Sequence, residues 1–438
     1  MTEREATVIG AGLAGCEAAW QLAERGIRVR LIEMKPGRMS PAHHSDRLAE
    51  LVCSNSFRSD RLTNAVGLLK EEMRILGSLI MKCADTARVP AGGALAVDRE
   101  QFADLVTQSV LTHPGIRLIR EEAGIIPESP VIIATGPLTS EALSDAISAL
   151  PGLSTLHFYD AAAPIVTKES LDENKLFRLS RYNRGNDYLN ASMNEEEYNA
   201  FVKELLGAEK APVHGFEEEM VFEGCMPIES MARRGALVPA FGPMKPVGLV
   251  DPRTGKEPFA VVQLRQDNTA DTLYNLVGFQ TRLKFGEQKR VFSLIPGLEH
   301  AEFARYGVMH RNTFLNSPGF LDDHFEMISR KGTFFAGQIT GVEGYVESAG
   351  SGMVAGITLA SEMNGSGKPA FPSFTALGSL GKHVSTPNRD FQPMNCTFGL
   401  IDPLPCLPGR KKKMKKQERY EAIAERALQF VRTVASQQ

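Results

Sequence analysis

Three glycines near the start of the chain have the spacing of a turn that binds a dinucleotide. Gly10, Gly12 and Gly15 fit the pattern G-x-G-x-x-G. In such a turn the first glycine allows a tight bend, the second lets backbone approach a pyrophosphate, and the third lets a helix pack closely on a strand. The carboxylate of Glu33 can accept hydrogen bonds from ribose hydroxyls. We therefore predict dinucleotide contacts from Gly10, Ala11, Gly12, Leu13, Ala14, Gly15 and Glu33.

The segments around this turn predict a strand-turn-helix-strand unit that positions the glycines. Residues 7–9 are apolar and predict a strand, residues 16–25 predict a helix that ends before Gly26, and residues 27–33 predict a second strand. The N-terminus of this helix then faces the phosphates. Because such a unit implies a parallel sheet, we expect an α/β fold with a doubly wound, Rossmann-like domain.

Two later segments favour FAD over NAD as the dinucleotide. A glycine turn that ends at Gly136 follows the apolar strand pattern of residues 131–134. Gly337 and Gln338 precede a glycine-rich helix start that contains Gly352. Both segments resemble the second and third contact regions of flavoproteins with two dinucleotide folds. No second G-x-G-x-x-G pattern stands at a strand end, so we expect a nicotinamide to bind only transiently, as reductant. The predicted FAD contacts therefore include Gly136, Gly337, Gln338 and Gly352.

The 438 residues of the chain are too many for one simple core. Between about residues 150 and 330 the pattern changes to short strands, Gly/Pro turns and an acidic helix at about 194–206. A strand at residue 333 and an apolar helix at about 351–363 then resume the first pattern. We predict a discontinuous FAD-binding domain formed by residues 1–149 and 330–438, with an inserted α/β domain of residues 150–329.

Charge and composition exclude several classes of protein. The 49 Lys plus Arg residues against 52 Asp plus Glu give a net charge of −3, so any RNA binding must be local. Apolar runs are too short to span a membrane, and the N-terminus lacks the regions of a signal peptide. We expect a cytoplasmic protein without membrane contact. The 6 cysteines form no C-x-x-C pair, which argues against a metal site or a disulfide framework and leaves free thiols for any chemistry.

Five motifs resemble those of the bacterial folate- and FAD-dependent tRNA (uracil-5-)-methyltransferases. The most specific is F-E-G-C-M-P-I-E at 222–229, and the others are L-V-C-S-N-S at 51–56, V-G-F-Q-T-R-L-K at 277–284, Y-G-V-M-H-R-N-T at 306–313 and A-G-Q-I-T-G-V-E-G-Y at 336–345. The resemblance runs from the first strand to about Pro408. It implies methylation at C5 of the T-loop uridine at tRNA position 54, which gives 5-methyluridine.

The chemistry that this resemblance implies needs a thiol and a source of electrons. Uracil C5 is a poor nucleophile until a thiolate adds to C6, and Cys225 is the candidate nucleophile. The resemblance gives Cys53 a role as base or as protector of the intermediate. The carbon comes from 5,10-methylenetetrahydrofolate at the oxidation level of formaldehyde. Two further electrons are needed, which reduced FAD supplies and NADH or NADPH replenishes.

Candidate residues for the two large substrates come from the same motifs and from basic segments. Tyr345 and His310 are candidates for stacking on the folate pterin or hydrogen bonding to it, and Arg282, Lys284 and Arg311 are candidates for anion or pterin contacts. The target uridine must leave its stack in the T loop. Basic residues that can neutralise tRNA phosphates are Arg233, Arg234, Arg410, Lys411 and Lys412.

Three alternatives stay open at the level of sequence. One is the related flavoprotein that modifies the tRNA wobble uridine, for which we expect a longer C-terminal helical region and no reason for the block around Cys225. The second is an FAD oxidoreductase that acts on a small metabolite. The third is a noncatalytic tRNA chaperone that holds FAD as a structural element. The sequence leaves the oligomeric state and the choice between NADH and NADPH undecided.

Overall fold

The structure is a computed structural model that describes residues 4–436, apart from 154, 162, 212–225, 308, 390 and 406–413. Of residues 155–161, 183 and 309–311 only the backbone is described. The strands are β1 Glu5–Ile9, β2 Arg28–Glu33, β3 Ser56–Ser59, β4 Arg88–Val89, β5 Ala94–Val97, β6 Ile116–Arg120, β7 Val131–Ile133, β8 Thr155–Ala161, β9 Ile165–Thr167, β10 Leu176–Arg178, β11 Tyr188–Met193, β12 Ala260–Gln266, β13 Leu273–Leu276, β14 Phe303–Arg305, β15 Met309–Leu315 and β16 Thr333–Phe335. The helices are α1 Leu13–Ala23, α2 Ala65–Ile75, α3 Leu79–Thr86, α4 Arg99–Thr112, α5 Glu141–Ser148, α6 Glu195–Gly207, α7 Ile228–Arg234, α8 Val238–Phe241, α9 Phe285–Phe292, α10 Tyr345–Met363, α11 Ala376–Ser385 and α12 Lys416–Ala435.

A parallel sheet in the order β16-β7-β1-β2-β6 forms the centre of the first domain. Its strand β7, between β16 and β1, is wholly buried and apolar, as expected for a strand covered on both faces. Helix α1 packs closely along α10, because glycine at the contact leaves no side chain between the two backbones. A Cβ added at Gly352 would lie 2.2 Å from the carbonyl oxygen of Ala14. This arrangement confirms the doubly wound, Rossmann-like α/β fold.

A second sheet, in the order β10-β11-β12-β13-β9-β14, forms the centre of the inserted α/β domain. Its neighbouring strands are antiparallel, and helices α6 and α9 pack with it around a separate core that includes Tyr198, Tyr274 and Phe292. Helix α6 begins at a capping box between Asn194 and Glu197, close to the predicted start. The sequence boundaries of the two domains stay a prediction.

Strands β8 and β15 form an antiparallel ribbon in the two segments where the chain passes between the domains. A small sheet in the order β3-β5-β4 belongs to the first domain and follows the loop that contains Cys53. Within the described residues no helix combines the length and the apolar character needed to cross a membrane.

Local turn chemistry sets the bounds of three helices, one of which differs from the sequence prediction. Helices α2 and α3 are separate, because Gly77 has a positive φ of 77° and Ser78 caps α3 by accepting from the amide of Met81. Helix α10 begins at Tyr345 rather than Ser351, directly after Gly344 with φ 110°. This earlier start brings the first turn of α10 to the nucleotide turn.

Candidate active site

The three glycines of the first turn have three different environments. Gly10 has φ 94°, and a Cβ on it would lie 2.6 Å from the carbonyl oxygen of Ala134. A Cβ on Gly15 would lie 1.7 Å from the carbonyl oxygen of Gly10, so this glycine allows α1 to meet β1. Gly12 is the N-cap of α1, and a Cβ there would meet nothing within 4 Å. The open space beside Gly12 is therefore where a pyrophosphate can approach the backbone.

Glu33 ends β2 beside this turn and is 6% exposed. Its two carboxylate oxygens accept from the backbone amides of Ala11 at 2.8 Å and Lys35 at 2.9 Å. Each oxygen keeps a further lone pair, so the carboxylate can also accept from ribose hydroxyls. The fixed position of the carboxylate agrees with its predicted role at the end of the second strand.

A deep cleft of about 1080 Å³, partly open to solvent, runs along the carboxyl ends of the parallel strands. The N-terminal ends of α1 and α10 both border it, which favours an anion. The predicted residues that line the cleft are Gly10, Ala11, Gly12, Leu13, Ala14, Glu33, Gly136, Gly337, Gln338 and Tyr345. Gly352 packs against α1 instead, and Gly15 supports the turn from behind. The cradle at Gly12 and the two helix N-termini fit a dinucleotide such as FAD.

Several residues of this cleft carry no recognisable sequence signal, and His43 is one of them. Its Nδ1 atom lies 2.5 Å from Oγ of Ser40. Burial and the charge of Lys35 lower the pKa of His43 to about 4, so its imidazole is neutral at pH 7. His43 therefore offers a bound molecule a neutral hydrogen-bonding group, brought to the cleft by a loop that has no motif.

Tyr345 connects the cleft to the loop that contains Cys53. Its phenol oxygen accepts from the backbone amides of Cys53 at 2.8 Å and Ser54 at 3.2 Å. Burial and the neighbouring thiol raise the pKa of Tyr345 above its ordinary value, so the phenol stays protonated. Val52, one residue before the cysteine, also lines the cleft. The structure thus brings two predicted site residues, Tyr345 and Cys53, together at the edge of the nucleotide cleft.

Three arginines from different segments hold the Cys53 loop by its backbone and polar side chains. Arg99, the first residue of α4, donates to the carbonyls of Leu51 at 2.6 Å and Cys53 at 3.3 Å. Arg305 of β14 donates to the carbonyl of Val52 at 2.5 Å. Arg265 of β12 donates to Oδ1 of Asn55 at 2.9 Å and to Oγ of Ser54 at 2.7 Å. Because Arg265 and Arg305 belong to the inserted domain, the loop is fixed at the contact between the two domains.

The charges of these arginines respond to burial in different ways. Burial opposes the charge of Arg99, but its ion pair with Asp267, at 2.8 Å, keeps the pKa of Arg99 above its ordinary value. Burial lowers the pKa of Arg265 and Arg305, because no equally close carboxylate compensates. A group of positive charge therefore surrounds the Cys53 loop, and a bound anion would be stabilised there.

The remaining predicted substrate residues fall into two groups. Arg282 is 9% exposed, and its backbone amide donates to Oε1 of Glu229 at 2.9 Å. Lys284 is exposed and pairs with Glu209 at 2.7 Å. His310 and Arg311 lie in β15, at positions where only the backbone is described. The predicted residues Cys225, Arg410, Lys411 and Lys412 lie outside the described residues.

The chain that follows Cys225 is anchored against the motif that contains Arg282. Glu229, at the start of α7, is fully buried and accepts from Oγ1 of Thr281 at 3.0 Å as well as from the Arg282 amide. The amide of Ile228 donates to the carbonyl of Gln280 at 2.8 Å. Arg233 and Arg234 follow in the last turn of α7, where both are exposed.

One cluster of potential metal ligands occurs among the described residues, at Asp322, Asp323 and His324. The two imidazole nitrogens of His324 contact Oδ1 of Asp323 and the carbonyl of Pro369, each at 2.8 Å. Lys368 forms an ion pair with Asp322 at 2.5 Å. These contacts use the ligand atoms within the protein, so the cluster serves as a structural network.

Comparison with known proteins gives one consistent family. The family described as GIDA, glucose inhibited division protein A, matches residues 5–367. The methylenetetrahydrofolate–tRNA-(uracil-5-)-methyltransferase TrmFO of Anoxybacillus flavithermus is 60% identical over 429 residues, which cover 98% of each chain. The protein of the same name from Listeria monocytogenes is 57% identical over 437 residues, or 99% of this chain and 100% of the relative.

The fold of the chain also matches that of a solved structure. Aquifex aeolicus GidA in its form II crystal superposes with a TM-score of 0.69 at 16% identity, and the match covers 99% of this chain and 74% of that chain. The form I crystal gives the same TM-score, 0.69, at 17% identity. The arrangement of a nucleotide-binding domain with an insertion is thus shared with a solved protein.

Proposed function

The chain belongs to the GIDA family and, within it, to the methylenetetrahydrofolate–tRNA-(uracil-5-)-methyltransferases, and on this premise we propose that it methylates C5 of the T-loop uridine at tRNA position 54. FAD and methylenetetrahydrofolate are its cofactor and carbon donor. The proposal extends to NADH or NADPH as the reductant. The observation that supports the proposal most directly is that Tyr345 both lines the dinucleotide cleft and forms a hydrogen bond with the Cys53 loop.

The overall reaction balances with one molecule of each reactant. The methylene carbon of methylenetetrahydrofolate replaces the hydrogen on uracil C5, and a hydride from NAD(P)H reduces it to a methyl group. The proton released from C5 and one proton from water restore the two N–H groups of tetrahydrofolate. The products are 5-methyluridine in tRNA, tetrahydrofolate and NAD(P)⁺. When bound, FAD supplies the two-electron step between the nicotinamide and the one-carbon unit.

The first role of the chain would be to hold FAD in the cleft that the Cys53 loop borders. Glu33 is placed to bind the ribose, and the backbone at Gly12 is placed to bind the pyrophosphate. Gly136 and Gln338 line the same cleft. Tyr345 completes the cleft wall and fixes the neighbouring loop by accepting from the amides of Cys53 and Ser54.

We assign the nucleophile that adds to uracil C6 to Cys225 and the proton acceptor at C5 to the Cys53 loop. The first assignment rests on the E-G-C-M-P-I-E block and on the buried anchor Glu229 that follows it. The second rests on the position of the Cys53 loop, which Tyr345, Arg99 and Arg305 hold at the edge of the cleft. Folate contacts are proposed for Arg282, Lys284, His310, Arg311 and Tyr345, and tRNA contacts for Arg233, Arg234, Arg410, Lys411 and Lys412.

The decisive experiment measures the product nucleoside. FAD-loaded protein is incubated with an unmodified tRNA transcript, methylenetetrahydrofolate and NADPH, and the digested tRNA is analysed by mass spectrometry. We expect 5-methyluridine, which disappears when folate is omitted or when uridine 54 is replaced by cytidine. Cys225→Ala should abolish the product while the protein keeps its flavin.

Controls separate this proposal from the alternatives. Cys83→Ala, a change in a buried cysteine of α3, should leave the product unchanged. A modified nucleoside at the wobble position would favour the anticodon-modifying flavoprotein. Flavin turnover with a small acid or amine, and no modified nucleoside with any reductant, would favour the metabolite oxidoreductase. Unchanged product from Cys225→Ala would remove this residue as nucleophile.

A further inference from the structure

An exposed aromatic and basic surface lies outside the cleft and has no part in holding FAD. We define it as the Tyr182 patch, which consists of Arg61, Tyr182, Arg184, Phe241 and Lys245. Tyr182 is 52% exposed and Phe241 is 80% exposed, the highest exposure among the large apolar side chains of the described residues. Large rings exposed to this degree are unusual unless they bind something.

The ring of Tyr182 lies beside two cations of the patch. The guanidinium carbon of Arg184 lies 5.1 Å from the ring centre of Tyr182, and Nζ of Lys245 lies 5.7 Å from it. Arg181 donates to the carbonyl of Pro243 at 2.7 Å, which ties the Tyr182 turn to the segment that follows Phe241. The aromatic rings and the cations are thus held on two segments that are fastened to each other.

Arg61 extends the patch across the contact between the domains. A Cβ placed on Gly93 would lie 3.3 Å from Nε of Arg61 and 3.9 Å from Cδ of Arg184. Arg61 belongs to the nucleotide-binding domain and Arg184 to the inserted domain, so both domains contribute cations to one surface. Arg61 follows β3, which itself follows the Cys53 loop. The eight residues from Cys53 to Arg61 span at most about 28 Å, so one RNA stem-loop can touch both.

The cations of this patch have no carboxylate partner among the described residues, in contrast to several other surface arginines of the protein. Within the part of the chain that the structure describes, no ion pair joins Arg61, Arg184 or Lys245 to an acidic side chain. Asp187, the acid of the same turn, directs its carboxylate to the amide of Gly92 at 2.6 Å. Ion pairs elsewhere neutralise Arg38, Arg47, Arg74, Arg88, Arg253 and Arg290.

Tyr182 is also held in an unfavourable backbone conformation. Its φ of 61° and ψ of 31° are left-handed, a region that aromatic residues rarely adopt. A Cβ on Gly248 would lie 3.1 Å from the Tyr182 amide nitrogen, so the adjoining segment packs directly on this strained residue. Strain of this kind persists only where surrounding structure enforces it, and here it presents the ring to solvent.

Cations without partners beside exposed rings match the chemistry of RNA rather than that of another protein surface. Phosphates pair with unneutralised arginine and lysine, and unstacked bases stack on flat aromatic rings. A purely apolar partner would leave the three charges buried without compensation, which is unfavourable. Arg233 and Arg234 precede α8, whose last residue is Phe241, so basic character continues along the chain.

We propose that the Tyr182 patch is a docking surface for the tRNA substrate, in which Arg61, Arg184 and Lys245 bind phosphates and Phe241 and Tyr182 stack on bases. This inference rests on the proposed tRNA methylation. The patch holds the RNA outside the cleft while the target uridine enters at the Cys53 loop.

The proposal is tested by filter binding of an unmodified tRNA transcript to the flavin-loaded protein. The Kd is measured over a range of salt concentrations. Phe241→Ala should raise the Kd about 5-fold or more, because it removes one stacking ring. The double variant Arg184→Ala/Lys245→Ala should weaken binding and reduce the slope of log K against log salt by about 1.5, because two phosphate contacts are lost. Neither variant should change flavin content or Tm, since these side chains lie at the surface.

Matched controls are Leu111→Ala, which removes a 51% exposed apolar side chain, and Lys82→Ala/Lys203→Ala, which removes two exposed cations elsewhere. If the patch variants bind tRNA with the Kd and salt slope of these controls, the docking proposal is overturned while methylation stands. A change in the sedimentation coefficient of RNA-free Phe241→Ala, with tRNA binding intact, would overturn it in favour of a contact between copies. Failure of the wild type to methylate any tRNA would instead overturn the proposed function.

Discussion

At the scale of single residues, the nucleotide turn shows how the same amino acid is required for opposite reasons. Gly15 is needed because there is no room, since a Cβ would lie 1.7 Å from the carbonyl oxygen of Gly10. Gly12 is needed although there is room, since a Cβ would meet nothing within 4 Å. Only the second glycine therefore depends on the ligand. One added Cβ atom should therefore disturb folding at Gly15 and cofactor binding at Gly12.

The two substitutions Gly12→Ala and Gly15→Ala should consequently fail in different ways. Gly12→Ala should fold with nearly unchanged Tm and lose FAD affinity by about 10-fold or more, because the methyl group occupies the approach of the pyrophosphate. Gly15→Ala should lose about 3 kcal/mol or more of stability, because α1 must move away from β1. Flavin absorbance after gel filtration and thermal unfolding of the apoprotein measure the two effects.

Gly207→Ala provides a neutral comparison, since it replaces a glycine with open surroundings at the end of α6. It should keep both flavin and stability. If Gly12→Ala retained full FAD affinity, the pyrophosphate would not pass at this turn, and the assignment of the cleft would have to change.

At the scale of elements, the Cys53 loop lies between three segments, each of which contributes one arginine. Arg99 has the strictest geometric requirement of the three arginines, because its one planar guanidinium donates to Asp267 and to the carbonyls of Leu51 and Cys53. Such a fork has fixed geometry, which a lysine ammonium cannot reproduce although it carries the same charge. The position of the thiol therefore depends on the shape of this side chain as well as on its charge.

Arg99→Lys should lower the methylation rate about 10-fold or more while the protein keeps its flavin, since hydrogen bonds to a charged group are lost from the loop. The measurement is the initial rate of 5-methyluridine formation at saturating tRNA and folate. Arg47→Lys, at a more exposed arginine that pairs with Asp104, is the matched control and should keep the wild-type rate. Equal rates for Arg99→Lys and the control would show that the loop needs only charge.

Elements with strong local signals were predictable from the sequence, and elements set by distant contacts were not. The turn at Gly10, the N-cap Asp98 of α4 and the capping box of α6 mark their own positions. The early start of α10 at Tyr345 was missed, because the glycine-rich pattern that follows does not mark a first turn. This start matters, since it gives Tyr345 its place between cleft and thiol.

The arginines around Cys53 could not be found from the sequence for a physical reason. Arg99, Arg265 and Arg305 bind mainly backbone carbonyls and amide or hydroxyl side chains, which form no motif in a linear chain. Their segments meet only when the inserted domain packs on the nucleotide-binding domain. The same holds for Arg61 and Arg184 in the Tyr182 patch, which come from different domains.

At the scale of the whole molecule, the cleft that fits FAD brings together parts of the chain that are far apart in sequence. The cleft is lined by residues between Ile9 and Ser348, and every strand of the parallel sheet ends within it or within two residues of it. The inserted domain has its own apolar core, and its contacts with the Cys53 loop are polar. We therefore expect the cofactor to stabilise one domain far more than the other.

Removal of FAD should then increase hydrogen exchange unevenly, because a ligand stabilises only the unit whose folded form binds it. With FAD at 100 times its Kd, exchange through opening of the nucleotide-binding domain should be about 100-fold slower than in the apoprotein, which corresponds to about 2.7 kcal/mol. Peptides from β1 and β7 report this change, and peptides from β11 and β12 serve as the internal control. Amides such as Ile132 should lose protection in the apoprotein while amides such as Val262 keep it. Equal loss in both sheets would mean that the molecule opens as one cooperative unit, with the arginine contacts at the Cys53 loop strong enough to couple the two cores.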